Sequence, residues 1–127
     1  MQFAATRILT DDVDALVDFY EQVTGLRAAR LHPLFAELTT DSGKLAIASS
    51  ATAAAMGDDV ATAAANRSVI LDFLVDDVDT EYRRLTGVVG EFVNGEPTDM
   101  PWGNRSLLLR DPDGNLVNLY TPLSPRS

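Results

Sequence analysis

In the segment "TDDVDALVDFYEQVTGL" the apolar residues Val13, Leu16, Val17, Tyr20 and Val23 recur at spacings of three and four. That spacing lines one face of a helix and predicts that this face is buried. Asp11 and Asp12 stand where caps are needed and favour the positive end of the macrodipole, while Gly25 supplies the stop. Before the helix, "QFAATRIL" is strand-like through Phe3, Ile8 and Leu9, although its alternation is weak. After it, "FAELTT", "DSG" and "KLAIAS" predict strand, turn and strand.

The second half repeats this order. "VILDFLV" predicts a strong strand, and "DDVDTEYRRLTG" a helix with the stripe Val78, Tyr82 and Leu85, capped by Asp76 or Asp77 and stopped at Gly87. "NRSLLLR", "DPDG" and "NLVNLY" then give strand, turn and strand. The letters "DDVD" occur at Asp11–Asp14 and again at Asp76–Asp79, each time directly after a strand. A shared capping habit explains four letters, but the matching order of elements argues for an internal repeat. Between the halves, "SSATAAAMGDDVATAAANRS" is Ala-rich and interrupted by Gly57 and an Asp pair, which predicts a linker with partial helix or a flap. "EFVNGEPTDMPWGNR" carries Asn94-Gly95, Pro97 and Pro101 and predicts a loop ahead of a strand. The resulting division is one domain of two modules, 1–50 and 67–122, joined by a linker at 51–66 and followed by a tail at 123–127.

The duplicated unit, with "FYEQVTGL" closing the first helix and "DPDGNLVNL" closing the second unit, resembles the vicinal oxygen chelate superfamily. That group includes glyoxalase I, extradiol dioxygenases, fosfomycin-modifying enzymes and bleomycin-resistance binding proteins. "PWGNRSLLLRDPDGNLVNL" is similar to the ending of its small bacterial members. The resemblance implies an α+β fold in which two βαβββ modules form a curved mixed sheet around a cavity. It also implies a homodimer that shares its site. Metalloenzymes of the family place one His, Glu or Gln ligand on the first and last strand of each unit. Carried onto this chain, those positions fall on Ala5, Ala46, Ile70 and Asn118. Three of these side chains cannot bind a divalent ion, and Asn118 offers one carbonyl oxygen. The expectation is that no metal cofactor is held and that the chelating chemistry has been lost. Glu37 and Asp72, carboxylates inside strands, would suit Mg or Ca better than a Lewis-acid metal.

Strand alternation then assigns faces. Leu71, Phe73, Val75, Val117 and Leu119 go against the helices; Ile70, Asp72, Leu74, Leu116, Asn118 and Tyr120 look the other way, as do Arg7, Ala46 and Ala48. The predicted ligand-binding set is Arg7, Ala46, Ile70, Asp72, Trp102, Leu116, Asn118 and Tyr120, with no catalytic residue. Small and apolar groups with a few polar ones are the make-up of a small-molecule site. Trp102, the only Trp, lies between Pro101 and Gly103, where it can stack on a flat or cationic ligand or pack across a dimer interface. The competing structural reading pairs Arg7 with Asp72 and bonds Asn118 to neighbouring backbone. Arg105 and Arg110 can contact an acidic ligand group, or face solvent as strand-end residues.

Composition narrows the function classes. The 127 residues suit one domain, and 46% hydrophobic content supports a core. A formal net charge of −9 argues against nucleic acid, whose binding rests on phosphate neutralisation, and is compatible with cationic ligands. No apolar run approaches membrane-spanning length and no signal pattern opens the chain, so a cytoplasmic location without membrane contact is expected. Cys is absent and His32 is the sole imidazole, which leaves little for nucleophilic catalysis. The favoured function is metal-independent binding of a small organic compound, aromatic or cationic and antibiotic-like. The alternatives are a metal-dependent lyase, isomerase or dioxygenase with an atypical site, and a non-catalytic dimeric interaction protein.

Overall fold

The structure, a computed structural model, describes residues 1–123; residues 124–127 of the expected tail lie outside the described residues. The chain divides into two compact units, Met1–Asn66 and Arg67–Ser127. In the first the order is β1 (Thr6–Thr10), α1 (Val13–Thr24), β2 (Ala29–His32), β3 (Phe35–Thr39), β4 (Lys44–Ser49) and the short α2 (Ser50–Ala54). In the second it is β5 (Ile70–Leu74), α3 (Val78–Leu85), β6 (Thr98–Asp99), β7 (Asn104–Arg110) and β8 (Leu116–Pro122). Each unit builds one four-stranded mixed sheet, in the orders β1-β4-β3-β2 and β5-β8-β7-β6. The first strand of each runs parallel to the last, and the other pairings are antiparallel. The fold is therefore α+β with a duplicated βαβββ topology, as the repeat implied.

Helix α1 forms where the periodicity put it. The Asp12 side chain accepts from the Ala15 N–H at 3.0 Å, and Gly25 closes the helix with φ 74°, a left-handed turn that spares glycine a steric penalty. Its stripe Leu16, Val17, Tyr20 and Val23 is buried. That face packs on β3 and β4, where Ala36, Leu38, Leu45 and Ile47 are buried in turn. In the second unit α3 packs on β7 and β8, burying Val78 and Leu85 with Leu107, Leu109, Val117 and Leu119. The Asp77 side chain caps α3 from the Asp79 N–H at 3.0 Å. The helix ends at Leu85 with Thr86 as cap, just ahead of the expected Gly87. Tyr82 is only half-buried and meets Phe92 with ring centroids 5.3 Å apart.

Three differences from the pattern have physical causes. β1 starts at Thr6, so Phe3 lies outside it and is exposed. β2 escaped the periodicity because all four of its residues are exposed at a sheet edge, where alternation has no core face to record. β6 is two residues long inside the expected loop. Among the described residues no helix is long and apolar enough to cross a membrane.

Candidate functional site

Each sheet turns one face to α1 or α3, and the opposite face is open in part, with Ile70 and Leu74 exposed but Ala48 and Ser106 buried. In the second unit the ladder fixes the open face: Ile70 pairs with Leu116, Asp72 with Asn118 and Leu74 with Tyr120. Across the other edge of β8, Leu116 faces Arg110, Asn118 faces Leu108 and Tyr120 faces Ser106. Ile70 and Leu74 are 51% and 66% exposed, whereas Leu116, Asn118 and Tyr120 are half-buried. The structure thus brings five of the predicted residues together on one surface. Sequence alternation found them but missed Leu108 and Ser106, because "NRSLLLR" is apolar on both faces and shows no period of two.

At the centre of this surface Asn118 Nδ2 donates to Asp72 Oδ1 at 2.9 Å. The expected backbone partner of Asn118 is therefore replaced by a side chain, because the parallel ladder sets Asp72 directly opposite. The carboxylate accepts only, so it also fixes which way the amide points. Asn118 Oδ1 is left shielded from solvent and without a hydrogen-bond donor. An unpaired buried acceptor is costly, by about 1–3 kcal/mol. The carboxamide three residues earlier behaves differently. Asn115, 2% exposed, donates from Nδ2 to Asp111 Oδ2 at 2.8 Å, and Asp111 Oδ1 accepts the Asp113 and Asn115 N–H groups. Those bonds hold the turn at "DPDG", with Gly114 at φ 85°.

In the first unit the open face carries Arg7 opposite Ala46 on β1 and β4, and Glu37 opposite Ala46 on β3. Arg7 is exposed and Ala46 half-buried. Glu37 is engaged by Lys44 at 3.2 Å. A surface pocket of about 330 Å³ lies elsewhere in this unit, between α2 and the Asp58–Asp59 stretch, and none of the predicted site residues lines it.

Trp102 sits at the tip of the β6–β7 hairpin and is 73% exposed. The tip is closed by Met100 N–H on Asn104 O at 2.7 Å and Gly103 N–H on Met100 O at 3.1 Å. Asn104 pairs with Pro122, which lies about 13 Å along β8 from Asn118. Trp102 is thus beyond the Leu74–Tyr120 end of the face and not against Asn118. Arg105 anchors the hairpin: Nε donates to Asp79 Oδ2 at 3.1 Å and Nη1 to Asp99 Oδ1 at 2.9 Å. These bonds, to Asp79 first and Asp99 second, raise the Arg105 guanidinium further above its ordinary value. Arg105 is therefore tied to α3 and β6 as a clamp, an arrangement different from both the ligand contact and the solvent-facing position that the sequence left open. The pattern of charges along one strand could not show this, since both acids lie on other elements. Arg110 is exposed and donates to Gly114 O at 3.1 Å.

The model of the Glyoxalase/Bleomycin resistance protein/Dioxygenase superfamily matches residues 2–119. The chain belongs to that superfamily. Among solved structures it is similar to a glyoxalase/bleomycin resistance protein/dioxygenase family enzyme from Burkholderia phytofirmans PsJN, at 21% identity and TM-score 0.81 over 94% of this chain and 98% of that one. A counterpart from Nocardioides gives 23% identity and TM-score 0.79, covering 100% of this chain and 87% of that one. A lactoylglutathione lyase from Agrobacterium tumefaciens gives 22% identity and TM-score 0.70, covering 94% and 92%. At these identities the likeness shows the fold. No protein of curated function matches the chain.

The metal that the family resemblance implies does not fit the side chains found at its positions. Ala5 lies just before β1, Ala46 on β4 and Ile70 on β5, and none has a donor atom. Asn118 has one oxygen, and its amide nitrogen is turned to Asp72. Among the described residues no three His, Cys, Asp or Glu side chains gather where they could hold an ion.

Proposed function

We propose that the protein is a metal-independent small-molecule binder of the glyoxalase/bleomycin resistance protein/dioxygenase superfamily, taking up an aromatic or cationic, antibiotic-like compound. One observation carries this reading. The open face of the second sheet exposes Ile70 and Leu74 around a single polar pair, Asp72 and Asn118, whose amide oxygen lacks a donor. Apolar walls with a few placed polar groups are what small-molecule sites share. Ile70, Leu116, Tyr120 and Leu74 supply the contact area and Asp72 with Asn118 the orientation. On the first sheet Arg7 and Ala46 occupy the corresponding face, and Trp102 stands at the far end as a stacking group. The same reading takes the protein to act in the cytoplasm as a homodimer.

The test is a titration of Trp102 fluorescence and a thermal-shift screen against planar and cationic antibiotics, with metal analysis of the purified protein alongside. A saturable quench or a raised melting temperature is expected for some members, with no stoichiometric transition metal. A stoichiometric Zn, Ni, Fe or Mn would overturn the metal-independent part. Silence across the panel would overturn the binding function.

A further inference from the structure

We infer that the Asp72–Asn118 pair selects a planar cation with two adjacent N–H donors, an amidinium or guanidinium group carried on an apolar body. This rests on the open face of the second sheet being the ligand site. The pair presents acceptors almost exclusively. Asp72 is exposed, and its carboxylate has about four acceptor positions, one of them taken by Asn118 Nδ2 at 2.9 Å. Asn118 Oδ1 is unpaired. An anion or an acceptor-only ligand would meet oxygen on oxygen, whereas a donor fork finds a carboxylate and a carboxamide on directly paired residues.

The shielding of Oδ1 bears on how the ligand enters. The terminal torsion of Asn is broad and roughly two-fold, so the amide can turn over once a cation takes the place of its N–H at Asp72. When it does, Asp72 exchanges a neutral donor for a charged one and Asn118 Oδ1 gains its first donor. Charge-assisted, bidentate bonds are the stronger kind, so the exchange runs towards the bound state. A neutral primary amide offers one NH2 beside a carbonyl oxygen and carries no charge, and an ammonium is a point charge without the fork.

The rest of the face orients the ligand. Among the described strand residues, the other charged group on it is Arg110, opposite Leu116 and tied to Gly114 O at 3.1 Å. It repels a cation from that end. The apolar body lies over Leu74 and Tyr120, where Leu74, 66% exposed, offers the larger bare apolar surface.

The experiment compares benzamidinium, benzamide, benzylammonium and naphthalene as probes of the full chain, by calorimetry and by amide chemical shifts of Asp72, Leu74 and Asn118. Benzamidinium is expected to bind at least about tenfold more tightly than benzamide, with the margin narrowing as salt rises. Asp72→Asn should bring the two probes level. Asn118→Leu should remove the advantage of benzamidinium over benzylammonium. Equal binding of benzamidinium and benzamide by the unmodified protein, with shifts at Leu74, would overturn this inference and leave the small-molecule site standing. No perturbation by any probe, naphthalene included, would overturn both.

Discussion

Asn118 is a residue whose place in the fold runs against stability. Its neighbours Val117 and Leu119 are buried against the helix side, while its own amide oxygen is shielded and unpaired. Replacing it by a Leu of similar size removes the unsatisfied acceptor. It gives up only a bond to an exposed carboxylate, which water can replace. Asn118→Leu is therefore expected to be neutral or stabilising by up to about 2 kcal/mol in urea unfolding. A clear loss of stability would show that the amide is structural. Asp77 gives a second expectation. The hydrogen bond from Thr80 Oγ1, helped by the Asp79 and Thr80 N–H groups and by Arg83 and opposed by desolvation, lowers its carboxyl below the ordinary carboxylate value. A lowered folded value means stabilisation that is full above the unfolded value and lost as pH falls through the folded one. Asn caps helices well but does not titrate in this range. The excess stability of the natural chain over Asp77→Asn should thus hold at neutral pH and vanish in acid, as followed by denaturation midpoints.

At the scale of elements, α1 and the β6–β7 hairpin show two kinds of support. Leu16 is fully buried, and Leu16→Ala should cost about 2–5 kcal/mol in denaturant unfolding, through lost contacts and the cavity left behind. The hairpin depends on ions instead. Arg105 joins Asp79 of α3 to Asp99 of β6, and Arg105→Gln should free the tip, lowering the fluorescence anisotropy of Trp102 with little change in far-ultraviolet circular dichroism. Helices α1 and α3 were legible because each has one buried stripe and a cap read directly from "DDVD". β5 and β8 were legible because in each strand one face is clearly more buried than the other. β2 and β6 were not, since edge strands with both faces in solvent leave no periodic trace. The Arg105 clamp was illegible for another reason: its partners are 26 and 6 residues away on different elements, and charge alone does not say which distant acid an arginine meets.

For the molecule as a whole, the repeated order of strand, capped helix and closing hairpin was enough to imply two βαβββ units, and the two sheets have the same strand order. The identity of the residues at the resemblance-implied metal positions was equally a matter of sequence, because Ala and Ile lack donors wherever they are placed. What sequence determined is therefore what depends on local periodicity, on capping and on side-chain chemistry. The tertiary structure decided the pairings. It set Asp72 against Asn118, since a parallel ladder aligns residues 46 positions apart that no local pattern connects. It also carried Trp102 to the end of the face and gave Arg105 to α3 and β6. Register and long-range partners follow from how whole elements dock, and that information is spread over every buried contact in each unit.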